Sequence, residues 1–218
     1  MAYDAVLFDN DGVLVRPVER SVLATAIRAT FEEFGVDPPD EAVEALSFAV
    51  APEAPRRIGN EHGIDPDALW RRRDRNASLA QRVEMVAGRK GPYDDLSAIA
   101  DLDRPMGIVS SNQHATIEFQ LAEFDLREWF PVAYGREPGL AGIDRKKPDP
   151  HYLERACADL GVDPADALYV GDRGSDVRAA HNAGADAAFL RRDHVADADL
   201  SADPEYEVRS LADLVGLV

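Results

Sequence analysis

The sequence AVLFDNDGVL at residues 5–14 decides the fold class of this chain. Its first four residues form a short apolar run, which is typical of a strand buried on both faces of a parallel sheet. Two carboxylates, Asp9 and Asp11, follow directly, and Gly12 allows the backbone to turn sharply after them. Because ligands of parallel sheets bind beyond the carboxyl ends of the strands, this pattern predicts a polar site at the end of the first strand.

The rest of the chain changes from a helical to an alternating pattern. Residues 15–90 have helical character, beginning with a helix at 20–34 whose predicted apolar face includes Phe34. After them, helical stretches alternate with short apolar runs, which predict strands at 106–109, 132–134, 167–170, 186–190 and 206–208. We therefore predict an α/β fold, a Rossmann-like doubly wound parallel sheet with a small all-helical cap domain inserted after the first strand. The predicted boundaries are 1–14 and 91–218 for the core and 15–90 for the cap.

Two pairs of aspartates follow predicted strands and suggest phosphoryl chemistry. Of Asp9 and Asp11, one carboxylate can attack phosphorus while the other transfers protons. Asp172 and Asp176 follow the strand at 167–170 and can share one face of a helical turn. Together with Asp9 they would form an oxygen-only cluster of the kind that Mg²⁺ prefers. Taken alone, Asp9 and Asp11 are equally explained as an acidic turn, and Asp172 and Asp176 can be explained as a helix cap, although the position of Asp172 at a strand end weakens that explanation.

Two further motifs offer groups that bind phosphate. Ser110, Ser111 and Asn112 end the second predicted strand, where a hydroxyl and successive backbone N–H groups can hold phosphate oxygens. Lys146 and Lys147 precede a proline, and they are two of only three lysines in the chain. A lysine there would supply the counter-charge that an attacking carboxylate needs. Helix capping and a solvated charge run are the alternative interpretations.

In this order the four motifs resemble those of the haloacid dehalogenase superfamily along the whole chain. The helical insertion is similar to the C1-type caps of phosphoglycolate phosphatases and β-phosphoglucomutases. The resemblance implies a Mg²⁺-dependent phosphatase with an aspartyl-phosphate intermediate. It implies that Asp9 is the nucleophile and a metal ligand, and that Asp11 is the general acid and base with its main-chain carbonyl on the metal. It also implies that Ser110 binds the phosphoryl group and that Lys147, rather than Lys146, orients Asp9. Asp172 would be a metal ligand, and Asp176 would bind the metal or orient its waters.

Other functions remain open at this point. A phosphomutase of the β-phosphoglucomutase type would carry a histidine in the linker to the cap, and residues 15–21 contain none. Phosphoglycolate phosphatases usually have Asp-Thr where this chain has Arg16-Pro17. A catalytically silent scaffold that binds a ligand, or a phospho-acceptor signalling module, is the alternative outside the enzymes. Within the cap, Arg56, Arg57 and residues 71–73 are candidates to bind a second anionic group of the substrate, although a solvated helix face explains most of them better.

The charge of the chain excludes some partners and suggests an environment. Its 218 residues include 41 acidic and 24 basic side chains, a net charge of −17, which argues against binding nucleic acid or an anionic membrane. A single cysteine excludes an internal disulfide, and we expect no secretory signal and a cytoplasmic enzyme that acts on a small phosphorylated metabolite. The excess of aspartate over lysine is typical of adaptation to high salt, although a genome that favours arginine codons gives a similar composition.

Overall fold

A sheet of six parallel strands lies at the centre of the structure, a computed structural model that describes residues 3–200 and 202–218. The strands are β1 (Ala5–Phe8), β2 (Met106–Gln113), β3 (Val132–Arg136), β4 (Ala167–Gly171), β5 (Asp186–Leu190) and β6 (Tyr206–Val208). Their spatial order is β3-β2-β1-β4-β5-β6, so that β1 lies between β2 and β4. The predicted Rossmann-like parallel sheet is therefore confirmed.

Helices fill the connections between the strands. Four lie between β1 and β2: α1 (Arg20–Glu32), α2 (Asp40–Ala45), α3 (Ala54–Glu61) and α4 (Pro66–Val86). The later connections contain α5 (His114–Glu123), α6 (Leu140–Asp144), α7 (His151–Leu160) and α8 (Gly174–Ala183). None of the helices within the described residues is long and apolar enough to cross a membrane.

Both faces of the sheet are buried, as the apolar strand sequences predict. Successive side chains of β1 point to opposite faces. Val6 and Phe8 accordingly pack into one apolar cluster and Leu7 into the other. The four residues of β1 are all fully buried, which explains why they are uniformly apolar rather than alternating with polar residues.

The helical segment between β1 and β2 has an apolar cluster of its own. Ile27, Phe31 and Trp70 belong to it, and so does Ile143 of α6, which lies outside the segment. Helix α4 starts as its sequence predicts, because the Asp65 carboxylate accepts a hydrogen bond from the Ala68 N–H at 2.8 Å and proline follows. We propose the cap at residues 15–90 and the core at 1–14 and 91–218 as two domains, and this separate cluster supports the division.

Two element ends differ from the sequence-based expectation, and the structure adds the start of α8. Helix α1 ends at Glu32 rather than at 34, so Phe34 leaves the apolar face and is 37% exposed. Strand β2 continues past Val109 to Gln113, although its pairing with β3 shifts register between these two residues. Helix α8 begins at Gly174, two residues before Asp176, which places this aspartate within the first turn.

Candidate active site

The ends of three adjacent strands bring the predicted site residues together. Asp9 follows β1, Ser110 lies near the end of β2, and Asp172 follows β4. The Asp9 N–H donates to the Val170 carbonyl at 2.8 Å, which fixes the chain leaving β1 against β4. All three site side chains are buried, as expected for residues that follow strands covered on both faces.

Three of the aspartates form a compact buried cluster. Asp9, Asp172 and Asp176 each offer a carboxylate oxygen within 4.8 Å of the others. Asp172 Oδ1 is buried and, within the described part of the chain, accepts no hydrogen bond, although Arg173 Nε lies 3.8 Å from it. Its other oxygen lies 2.7 Å from His194 Nε2. A buried carboxylate oxygen without a donor, among hard oxygen ligands, fits a divalent cation such as Mg²⁺.

Lys147 supplies the positive charge for this cluster. Its Nζ lies 2.8 Å from Asp9 Oδ1 and 2.7 Å from Asp176 Oδ1, and it also donates to the Tyr169 hydroxyl at 2.7 Å. Burial alone would lower the pKa of Lys147, but Asp176 and Asp9 raise it above its usual value. Burial raises the pKa of Asp9 to about 6, with Lys147 acting against the shift. Of the two neighbouring lysines, Lys147 is the one that contacts Asp9.

Asp11 occupies a separate position beside the cluster. Its carboxylate pairs with the fully buried ammonium of Lys90 and accepts hydrogen bonds from Asn112 Nδ2 at 2.7 Å and Asn10 Nδ2 at 3.1 Å. Burial would raise the pKa of Asp11, but Lys90 and the two amides together lower it. The Asp11 carboxylate therefore faces Lys90 and is not one of the three carboxylates of the cluster.

Gly12 lets the backbone after Asp11 pass close to Asp172. Its φ of +94° lies in the region that glycine adopts without strain. A Cβ at this position would lie 2.1 Å from Asp172 Oδ2, which is far too close for any other residue. The glycine of the first motif is therefore required by both the backbone conformation and the close approach of Asp172.

The predicted phosphate-binding residues line one cleft with the aspartates. Ser110, Ser111, Asn112 and Lys147 all border this cleft, whose volume is about 680 Å³. Ser110 is buried, and its Oγ accepts a hydrogen bond from the Asn112 N–H at 3.2 Å. The Asn112 side chain is engaged by Asp11 and by Gln81 of the helical segment. The Asn112 side chain therefore contacts both Asp11 and the cap.

Most of the arginines proposed for substrate recognition are engaged elsewhere. Arg56, Arg57, Arg71 and Arg72 pair with acidic side chains of Asp144, Glu61, Asp67 and Glu33. Arg73 is different, because it is buried and borders the cleft. Of this group, the structure brings only Arg73 deep into the site.

Two contacts in the site were not predicted from the sequence. The Lys90 ammonium contacts the Asp11 carboxylate, and the His194 ring contacts the Asp172 carboxylate. The scarcity of lysine was a usable signal for Lys90, because all three lysines border the cleft or contact one of its aspartates. His194 has no comparable signal, since it follows β5 in a segment without a motif.

The family is decided by comparison with known proteins. A family model described as haloacid dehalogenase-like hydrolase matches residues 6–190. The chain belongs to this family. A phosphoglycolate phosphatase of Chromobacterium violaceum is 30% identical over 224 residues, which cover 98% of this chain and 96% of that protein. The family and this phosphatase relative confirm the predicted type of enzyme, a phosphoric monoester hydrolase.

Other relatives span a range of phosphatases. The pyrophosphatase PpaX of Listeria monocytogenes is 27% identical over 221 residues, covering 98% of this chain and 95% of its own. A crystal structure of a putative phosphoglycolate phosphatase from Lactobacillus plantarum has a TM-score of 0.72 and 21% identity, with 100% of both chains covered. The latter similarity concerns the fold, and it extends over the helical insertion as well as the sheet.

Proposed function

We propose that this haloacid dehalogenase-like hydrolase is a Mg²⁺-dependent phosphatase that hydrolyses a small phosphorylated metabolite through an aspartyl-phosphate on Asp9. The observation that carries the proposal is that the two aspartates have different contacts. Asp9 lies against Lys147 and the carboxylate cluster, whereas Asp11 lies apart on Lys90 and Asn112. Their positions suit Asp9, beside the carboxylate cluster, for attack and Asp11 for proton transfer, and Lys90 favours the carboxylate form in which Asp11 acts as a base.

In the first step, an oxygen of Asp9 attacks phosphorus, and the bond from phosphorus to the ester oxygen breaks. A protonated Asp11 gives its proton to that leaving oxygen and returns to the carboxylate form that Lys90 favours. In the second step, Asp11 removes a proton from water, whose oxygen attacks the same phosphorus. The Asp9–phosphorus bond breaks, which releases phosphate and restores both aspartates.

The remaining residues hold the phosphoryl group and its charge. Asp9, Asp172 and Asp176, with the main-chain carbonyl of Asp11, would hold Mg²⁺. The ion would offset the negative charge of the phosphoryl oxygens as Asp9 approaches them. The Ser110 hydroxyl and the N–H groups after it would bind phosphoryl oxygens, and Lys147 would keep Asp9 oriented.

The relatives support small phosphorylated compounds as substrates, since they are named as a phosphoglycolate phosphatase and a pyrophosphatase. We propose the cytoplasm as the compartment, because that is where metabolites of this kind are turned over. We also propose adaptation to high salt, supported by the net charge of −17. Unfolding measured in increasing KCl tests the adaptation, and stability that does not rise with salt would contradict it.

Hydrolysis of p-nitrophenyl phosphate with Mg²⁺ at molar KCl tests the proposed activity. The comparison is between the wild type, Asp9→Asn and the matched control Asp4→Asn, which changes an exposed residue at the other end of β1. We expect turnover by the wild type and the control, and loss of turnover in Asp9→Asn. An inactive wild type would remove the phosphatase, and an active Asp9→Asn would remove Asp9 as nucleophile.

A further inference from the structure

The cleft holds a group of positive charges that the proposed reaction does not use. Arg73, Arg136, Lys146 and Arg173 border it together with Asp9 and Ser110. Arg73 belongs to the cap helix α4, whereas Arg136 is the last residue of β3 and Arg173 lies between β4 and α8. The charges therefore meet where the cap faces the carboxyl ends of the strands.

Two of these cations are fixed in place by the surrounding protein. The guanidiniums of Arg73 and Arg136 lie 4.8 Å and 4.6 Å from the ring centroid of Trp70. Both contact the single buried carboxylate of Asp74, and Arg73 also donates to the Leu46 and Ser47 carbonyls at 2.8 Å. Two buried guanidiniums against one carboxylate leave an excess of one positive charge at this wall of the cleft.

Lys146 adds a further positive charge beside this excess. Its Nζ donates to the Val50 carbonyl of the cap at 2.5 Å, and no carboxylate of residues 3–200 and 202–218 lies within ion-pairing distance. Burial, followed by Arg136, Arg173 and Arg73, lowers the pKa of Lys146 to about 8, and Glu53 acts in the opposite direction. The other two lysines each contact a carboxylate. Lys146 is thus a half-buried cation that is repelled by its neighbours.

We propose that Lys146, with Arg136 and Arg173 beside it, binds a second anionic group of the substrate. The inference rests on the proposed phosphatase function and names its substrate class: phosphate monoesters that carry a carboxylate or a second phosphate. An anion at Lys146 would neutralise the repelled charge and accept hydrogen bonds from the ammonium.

Matched substrates isolate the second anionic group. Phosphoglycolate is compared with ethyl phosphate, and propanediol bisphosphate with propyl phosphate, so that each pair differs by one carboxylate or one phosphate. The variants are Lys146→Met, which removes the charge, Lys146→Arg, which keeps it, and the control Arg57→Met, which removes an exposed cap charge paired with Glu61. The measured quantity is the ratio of kcat/KM within each substrate pair.

We expect the wild type to prefer the doubly anionic member of at least one pair, and Lys146→Met to reduce that preference by about ten- to hundredfold, as for a hydrogen bond to a charged group. Lys146→Arg and Arg57→Met retain most of it. The pair that responds distinguishes a carboxylate from a phosphate. An equal preference in Lys146→Met and wild type, or no preference in either substrate pair, would overturn the inference. Turnover of ethyl phosphate by the wild type would still support the phosphatase activity in that case.

A binding measurement decides the inference even if no ester is hydrolysed. Calorimetric titration measures the dissociation constants of phosphoglycolate and of ethyl phosphate, and their ratio gives the preference for the second anionic group. Tighter binding of phosphoglycolate that is lost in Lys146→Met, with a thermal unfolding curve like that of the wild type, supports the subsite. Equal binding of the two compounds by the wild type overturns it.

Discussion

Replacing Asp74 by asparagine is expected to destabilise the protein strongly, because this carboxylate joins the cap to the core through buried charges. Its two oxygens accept from Arg136 Nη1 and Nη2 at 2.7 Å and 2.6 Å, and Arg73 Nη1 lies 3.2 Å away. The side chains of Asp74 and Arg136 are 6% and 3% exposed. The substitution keeps the size of the side chain and one oxygen but leaves two buried guanidiniums without a counter-charge.

Removing one partner of a buried ion pair costs about 3–5 kcal/mol. Since asparagine retains one acceptor, we expect the free energy of unfolding to fall by about 3 kcal/mol, at the lower end of that range. For a chain of this length, 1 kcal/mol shifts Tm by about 2–4 °C, so Tm should fall by roughly 6–12 °C. Urea unfolding and a thermal scan, followed by tryptophan fluorescence, measure the two quantities, and Trp70 reports directly because both guanidiniums lie against it.

Asp144→Asn is the matched control. Asp144 also joins core to cap, through Arg56, but its side chain is 46% exposed. An exposed pair contributes about 0–1 kcal/mol, so the control should barely change the free energy of unfolding. Equal effects of Asp74→Asn and Asp144→Asn would refute the reasoning, since burial would then have no influence on the value of a cap–core ion pair.

Three further predictions concern the site. Lys90→Met should reduce the free energy of unfolding at neutral pH by about 3 kcal/mol. Because Lys90 lowers the pKa of Asp11 from its ordinary value of 3.8, the difference in stability between variant and wild type should shrink as the pH falls below 3.8. Urea unfolding of both proteins across this pH range measures that difference. Gly12→Ala should lose at least about tenfold in kcat/KM through the clash with Asp172, whereas Gly35→Ala, with a similar φ but open space, should lose only about 1–2 kcal/mol of stability and no activity. The preference for doubly anionic substrates should fall as the pH rises through about 8, where Lys146 loses its proton, and a preference that is constant across pH would contradict this.

The sequence was sufficient where the chemistry is local. The strand that ends at Asp9, the aspartates at 172 and 176 and the lysine at 147 each lie in a short motif that follows or precedes a recognisable element. Alternating strands and helices then placed these motifs at one edge of a parallel sheet, as the structure has them. The order of elements was therefore enough to predict the fold and the position of most residues of the candidate site.

Contacts between distant segments could not be predicted from the sequence. Lys90 and Asp11 are 79 residues apart, and Asp74 and Arg136 are 62 apart. Neither pair belongs to a local motif, because each depends on how the cap packs against the core. The exposure of Phe34 has a different cause, since the helix ended two residues before the apolar periodicity did. Tertiary packing and helix termination thus account for what could not be predicted.

Trapping the covalent intermediate tests the central claim, that Asp9 accepts the phosphoryl group, most directly. In Asp11→Asn, p-nitrophenolate can still depart without a proton, but the water of the second step loses its base, so the phosphorylated enzyme should accumulate. We predict a burst of p-nitrophenol stoichiometric with enzyme and, after an acid quench, a phosphorylated peptide that contains Asp9. A burst without phosphate on Asp9, or phosphate on any other residue, would contradict the account.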